Sequence, residues 1–174
     1  MKTIERKIEL EGVKAEIEGN LIRITGPKGT VERKITDKSI KISKEDSVII
    51  ITAMNPKRKC KRMMETMRAH IKNMIKGVKE GYEYKLKICS THFPINVSIS
   101  GKDVIIKNFL GEKHSRVCKI KYDVDVKLEK DFIIISGIDK EKVGQAAADL
   151  EQTTRITNRD RRVFMDGIYI VSKG

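Results

Sequence analysis

The sequence predicts an α+β protein: two tandem copies of a small antiparallel sheet with one packed helix, arising by internal duplication. Three observations predict it. Short segments alternate apolar and polar residues with period two, the pattern of strands with one buried and one solvated face. Each group of such segments ends in a stretch where apolar residues recur at spacings of three and four, one face of a helix. The two groups also superpose. A shift of 82 residues lays Gly19 on Gly101, Ile22 on Val104, Ile24 on Ile106 and Gly29 on Gly111. A shift of 84 lays Val48–Ile51 on Phe132–Ile135. Between these, Val31–Ile35 matches Arg116–Ile120, which places a few extra residues around Lys113, His114 and Ser115. The period is too long for a solenoid repeat, so a whole small domain is duplicated.

The elements follow in order. Val13–Gly19 alternates, turns at Gly-Asn, and alternates again over Leu21–Thr25. Its counterpart runs from Ile95–Gly101 through a Gly-Lys-Asp turn into Val104–Lys107. Asn55-Pro56 reads as an N-cap with proline in the first helical position. Met64, Met67, Ile71, Met74 and Val78 then form the buried stripe of the first helix, and Gly77 and Gly81 suit its end. Glu80-Gly81 is the expected linker, and Tyr82–Ile88 opens the second copy as a strand. In the second helix Asp139 is the expected N-cap and Val143, Ala147, Leu150 and Thr154 the buried stripe. Alanines 146–148 let that helix sit close to its sheet. Gln145 and Gln152 fit either helix surface or contacts to a neighbour. The organisation expected is residues 1–80 and 81–154 as repeat domains, then a basic C-terminal extension over 155–174.

Charge narrows the partners more than the fold. The chain has 174 residues and a formal net charge of +13. Residues 1–55 hold 11 basic and 9 acidic side chains, and residues 88–154 balance at 10 and 10. The excess lies in residues 56–87, with 11 and 3, and in residues 155–174, with 5 and 2. Two localised basic zones suit a polyanion: RNA, DNA or an anionic membrane surface. The longest apolar runs, Val48–Ile51 and Phe132–Ile135, are strand-length, far short of a membrane span. The first residues are charged and carry no apolar leader pattern, so a soluble, cytoplasmic protein is expected. Cys60, Cys89 and Cys118 are widely spaced and odd in number, which fits reduced thiols. His70, His92 and His114 lie near no cysteine at zinc-ligand spacing, so no metal is expected.

The densest chemical signal is near the C-terminus. Arg155, Arg159, Arg161 and Arg162 crowd a short segment, with Phe164 and Tyr169 close behind. Guanidinium groups grip phosphates in bidentate fashion, and guanidinium planes and aromatic rings stack on bases. A solvated basic tail with tucked aromatics is the alternative reading. The first helix carries a second basic cluster at Lys57, Arg58, Lys59, Lys61 and Arg62, which reads as a solvated face or a polyanion contact. Gly26-Pro-Lys-Gly29 lies between strand-like segments. A phosphate loop leads from a strand into a helix with more glycines, and the Gly-x-x-Gly of a KH domain joins two helices. A tight hairpin turn is therefore expected, with Lys28 at its tip within reach of a phosphate. His92-Phe-Pro-Ile-Asn96 reads as a structured corner or a nucleic-acid contact. No nucleophile–base pair, cofactor loop or paired-carboxylate site emerges, so neither catalysis nor a cofactor nor a small-molecule substrate is expected.

Several of these segments resemble one family. Thr66–Val78 looks like the first-domain helix of the large-ribosomal-subunit protein six family, whose eukaryotic member is called protein nine. His92–Val97 and Asn108–Lys113 resemble its second domain. Arg161–Tyr169 is similar to the closing signature of its eukaryotic and archaeal branch, and Gly26–Gly29 matches a loop found across the family. The resemblance implies two copies of one α+β domain, in the ribosome with neighbouring ribosomal proteins. It implies binding to large-subunit ribosomal RNA near the sarcin–ricin loop and the stalk base, chiefly through the second domain and the C-terminal extension. By position that points to Lys113, His114 and Arg116 on the inserted hairpin, and to Arg155, Arg159, Arg161, Arg162 and Lys173. Lys28, Lys57, Arg58, Lys59, Lys61, Arg62 and His92 are secondary candidates. Relatives carry more arginines where this chain has His114–Lys119, and Lys57–Arg62 is unusually basic. Two competing classes are an RNA-modifying enzyme, which needs an acid–base pair not visible here, and a free-standing RNA-binding regulator, which would not sediment with the large subunit.

Overall fold

The computed structural model describes residues 3–10, 12–35, 40–54, 57–160 and 162–174. The chain divides into two compact units, Met1–Gly81 and Tyr82–Gly174. The first holds strands β1 (Thr3–Glu9), β2 (Lys14–Glu18), β3 (Leu21–Gly26), β4 (Gly29–Lys34), β5 (Ile40–Glu45) and β6 (Val48–Met54), then helix α1 (Arg58–Lys79). The second holds β7 (Tyr82–Cys89), β8 (Asn96–Ser100), β9 (Asp103–Lys107), β10 (Arg116–Lys119), β11 (Asp125–Glu129) and β12 (Phe132–Gly137), then α2 (Lys140–Thr153) and β13 (Gly167–Lys173). All strand pairs among the described residues are antiparallel.

The duplication is visible in the strand order. Each unit carries two small sheets, β2-β3-β4 with β1-β6-β5 in the first and β8-β9-β10 with β7-β12-β11 in the second. Registers match: Ile49 pairs with Ile8 and Ile133 with Leu86. The same backbone tie closes both hairpin sheets, Ile35 N–H to Asn20 O at 2.7 Å and Ile120 N–H to Lys102 O at 2.9 Å. The alternation read from the sequence has this cause: on β3, Ile22 and Ile24 are buried while Arg23 reaches outward to Glu32 at 2.6 Å.

Each helix covers its sheets with the expected stripe. Met64, Met67, Ile71, Met74 and Val78 are buried on α1; Val143, Ala147, Leu150 and Thr154 are buried at and just beyond α2. Full burial of each large apolar side chain contributes roughly 1.5–3 kcal/mol. Asp139 caps α2 as expected, accepting from Glu141 N–H at 2.9 Å. The expected cap of α1, Asn55-Pro56, lies outside the described residues; the helix begins at Arg58 with Lys57 in the capping position and no side-chain cap. Its end is closed by Gly81, which adopts φ +76° and donates to Gly77 O at 2.9 Å. No helix among the described residues is long and apolar enough to cross a membrane.

The Gly26–Gly29 hairpin turn also serves α1. Lys28 N–H donates to Val78 O at 3.0 Å, and its ammonium donates to Glu80 O. The loop is therefore a cap on the end of α1, and Lys28 is held there rather than extended from a free tip. A Cβ on Gly26 would lie 2.7 Å from a Val78 methyl and 2.9 Å from its carbonyl. Gly26→Ala should consequently destabilise the protein by about 1–3 kcal/mol, measured as a lower urea midpoint. Lys28→Ala, which leaves that close approach intact, should cost less.

Candidate nucleic-acid interface

The last part of the segment expected to be an extension, Gly167–Lys173, is a strand of the second sheet. β13 pairs along β7, with Ile168 opposite Ile88 and Ile170 opposite Leu86, so the four-stranded order is β11-β12-β7-β13. Ile168 is buried and its N–H donates to the Thr154 hydroxyl at 3.0 Å. Ile170 and Phe164 pack half-buried on the core, and Tyr169 is exposed, as their alternation implies. The turn into the strand needs Gly167: its φ is +153°, and a Cβ there would lie 3.2 Å from the Tyr169 ring.

Asp166 pins this turn. It is 0% exposed. Its carboxylate accepts from Thr91 N–H at 2.6 Å, from the Thr91 hydroxyl, and from His92 N–H at 3.3 Å. Burial by itself raises this carboxyl's pKa; the Thr91 and His92 donors outweigh that and hold it below the usual carboxylate range. The tie brings the corner at His92 onto the C-terminal segment. The His92 ring stacks on Phe164 with centroids 4.7 Å apart, and the Arg159 guanidinium lies 4.8 Å from the same ring centroid. The sequence did not single out Asp166 as an organiser. Its one signal was an acidic residue next to glycine in a basic stretch.

Asp160 is likewise turned onto backbone. Its carboxylate accepts from Arg162 N–H at 2.9 Å, and its carbonyl accepts from Phe164 N–H at 2.9 Å. Both acids of the segment are thus engaged with backbone donors. Arg155, Arg159 and Arg162 are exposed and form no ion pair among the described residues. Arg161 lies outside the described residues.

Arg116 differs from the other candidates. Its guanidinium donates to Glu112 at 2.8 Å, to Thr153 O at 2.8 Å and to Arg155 O at 3.3 Å, and it lies 4.3 Å from the Phe109 ring centroid. The hydrogen bond from Arg116 holds the Glu112 carboxyl below its usual range, and Arg159 adds a weaker attraction. Arg116 therefore ties the hairpin to the end of α2 and positions Arg155. Lys113 and His114 stand exposed on the loop that it anchors. Lys173 is apart from this group: it pairs with Tyr84 at the other end of β13, roughly 20 Å along the strand from Gly167.

The arrangement offers guanidinium groups beside a stacked ring pair on a fixed backbone. Exposed apolar side chains border it, Val163 at 60% and Met165 at 55%. The basic first turns of α1 form a separate patch. Lys57, Arg58, Lys59, Lys61 and Arg62 are exposed, and the first turn has no acidic residue. Cations at a helix N-terminus oppose the helix dipole. Among the described residues no group of His, Cys, Asp or Glu is arranged to hold a metal ion, and the three cysteines are free.

A family model described as Ribosomal protein L6 matches the chain over residues 11–81 and 93–167, one block in each unit. Three archaeal proteins named Large ribosomal subunit protein uL6 are similar over nearly the full chain. The one from Desulfurococcus amylolyticus is 47% identical, covering 98% of this chain and 95% of its own. Those from Methanothrix thermoacetophila and Methanosarcina mazei are 43% and 44% identical, each covering 99% of both chains.

The Asp166 tie gives a pH signature. Its ionised carboxylate finds these donors only in the folded state. The stabilisation is present above the unfolded carboxylate pKa of about 3.9 and is lost as pH falls through the lowered folded value. Asp166→Asn should be less stable than the parent by about 1–3 kcal/mol at neutral pH. Urea melts repeated toward pH 3 should show that gap narrowing.

Proposed function

Because the chain belongs to the ribosomal protein L6 family and is a component of the large ribosomal subunit, not an enzyme, we propose that it binds large-subunit ribosomal RNA through its second unit. Its role in translation is structural. The observation that carries this reading is the exposed guanidinium groups of Arg155, Arg159 and Arg162, which form no ion pair among the described residues while Asp160 and Asp166 accept from backbone donors. Arg161 is their neighbour in sequence, and Lys113 and His114 stand exposed on the anchored hairpin. Binding neutralises phosphates and releases their counterions, while the fixed backbone selects for folded RNA by shape. His92 and Phe164 supply stacking surface beside the phosphate grip. Arg116 acts within the protein as a positioning residue. Lys173 is a peripheral contact at the far end of β13, and Lys57–Arg62 a second one on α1.

The place we propose on the RNA, near the sarcin–ricin loop and the base of the stalk, rests on the family resemblance. Chemical probing of large subunits assembled with the parent or with Arg159→Ala plus Arg162→Ala tests it. Nucleotides of that region should be protected by the parent and exposed with the double variant; protection confined to other regions would overturn the placement.

For the isolated protein, the log of RNA affinity should fall linearly with log salt. Arg159→Ala plus Arg162→Ala should lower affinity and reduce the slope by about one for each phosphate that is no longer neutralised. Lysine at both positions should rescue only in part, because a point charge lacks the bidentate fork. Arg116→Ala should mainly lower the melting temperature. Filter binding across a salt series, with melts alongside, reads all three; parent-like binding by the double alanine variant would make the segment a solvated tail.

A further inference from the structure

The duplication is unequal in one place. In the second unit, β7 is hydrogen-bonded on both sides, by β12 and by β13. Its counterpart β1 pairs with β6 and, among the described residues, with no strand on the other side. An unpaired edge presents alternate N–H and C=O groups to whatever lies beside it. What lies beside it here is a cleft of about 410 Å³ between β1 and the C-terminal half of α1. Buried Ile8 and Ile75 line it, with Arg68, Lys72, Lys76 and Lys79 from the helix. Counting Lys7, five cations and two carboxylates, Glu9 and Glu80, line it among the described residues, and Arg68 is also paired with Glu65 at 3.3 Å.

We propose that the outer edge of β1 is a strand-acceptor site, taking an extended acidic segment of a partner protein in the position that β13 holds on β7. The second unit supplies the template. Ile168 and Ile170 of β13 lie opposite Ile88 and Leu86; the matching positions on the first unit are Leu10 and Ile8, both buried. An incoming strand with alternate apolar residues would meet them in the same way. The helices differ where charge is decided. The buried stripes align with α2 76 positions after α1, Met67 on Val143, Ile71 on Ala147 and Met74 on Leu150. In that alignment Gly144, Ala148 and Gln152 become Arg68, Lys72 and Lys76. A neutral helix face goes with the chain's own strand; a cationic one suits an acidic guest. The Arg68 guanidinium donates to Glu65 through Nη1 at 3.3 Å, but its buried Nε meets no acceptor among the described residues, which a carbonyl or carboxylate of that guest would provide.

Two other occupants fit less well. An RNA strand would satisfy the cations, but it offers no ladder of N–H and C=O groups at the strand repeat, and no apolar face for Ile8 and Ile75. A second copy pairing β1 to β1 would bring two cationic helix faces together. The site lies wholly within the first unit. The inference thus goes beyond the RNA reading of the second unit and does not depend on it.

The test uses the full chain and a labelled short peptide in which Glu or Asp alternates with Ile or Val. Anisotropy should show saturable binding, weakened at least about tenfold by Lys72→Glu plus Lys76→Glu, both exposed positions. A peptide of identical side chains with alternate backbone amides N-methylated should bind at least about tenfold more weakly in one of its two methylation registers. Hydrogen exchange should slow at β1 amides. Arg155→Ala plus Arg159→Ala should leave peptide binding unchanged, which separates failure here from failure of the RNA reading. Equal binding by the peptide methylated in either register would reduce the site to simple charge attraction and overturn the proposal. So would an absence of β1 protection, or a single-stranded RNA of equal charge that displaces the peptide and protects the same amides.

Discussion

The pairing of β13 with β7 is the constraint on which the second unit's surface depends. It places Gly167 opposite Cys89, at the end of β7 from which the chain runs on into Thr91 and His92. Asp166, one residue before the strand, then falls within reach of that corner and is buried against it. A buried carboxylate with three good donors strongly prefers one geometry, because every alternative leaves it unsatisfied in a medium of low polarity. The stack of His92 and Arg159 on Phe164 is a consequence of that preference. Side chains that would otherwise wave in solvent are thereby held against one another beside the turn that Asp166 pins, which lowers the entropy lost on binding.

The same constraint decides which charges are available. A segment with arginines and aspartates close together would ordinarily neutralise itself by local ion pairing. Here the aspartates are taken up by backbone N–H groups, because the chain reverses at Asp160 and enters the sheet after Asp166. On the neighbouring hairpin the outcome is opposite. Glu112 lies four residues before Arg116 and within reach of it, and Arg116 reaches on to the carbonyls ending α2. One arginine becomes a strut, while Arg155, Arg159 and Arg162, in the segment after α2, stay exposed.

The two units show how a duplicated fold diverges. Both keep the same strand order, registers and closing hydrogen bond, since these follow from apolar positions that either copy would lose its core by changing. They differ at the edge of the larger sheet, where β13 completes one copy and a cationic cleft borders the other. The hairpin turns diverge too. Gly26–Gly29 closes over the end of α1, while the longer loop after Asn108 holds Asn108 and Leu110 at positive φ and carries Lys113 and His114 outward.

Much was legible in the sequence because it depends on local periodicity. The strands over Val13–Gly19 and Ile95–Lys107, the stripe Met64–Val78, the Asp139 cap and the twofold repeat all follow from spacing along the chain. The basic cluster and its family resemblance were legible in the same way, as composition and motif. The tertiary structure decided what each cation does. Lys28 and Arg116 read as contacts yet are drawn inward, by Glu80 O and by Glu112 with the carbonyls at the end of α2. Lys173 falls at the far end of a strand that the sequence had as an extension. The difference has one physical reason: periodicity reports which face of an element is buried, but a long cationic side chain takes its partner from whatever the fold brings alongside, often dozens of residues away in sequence.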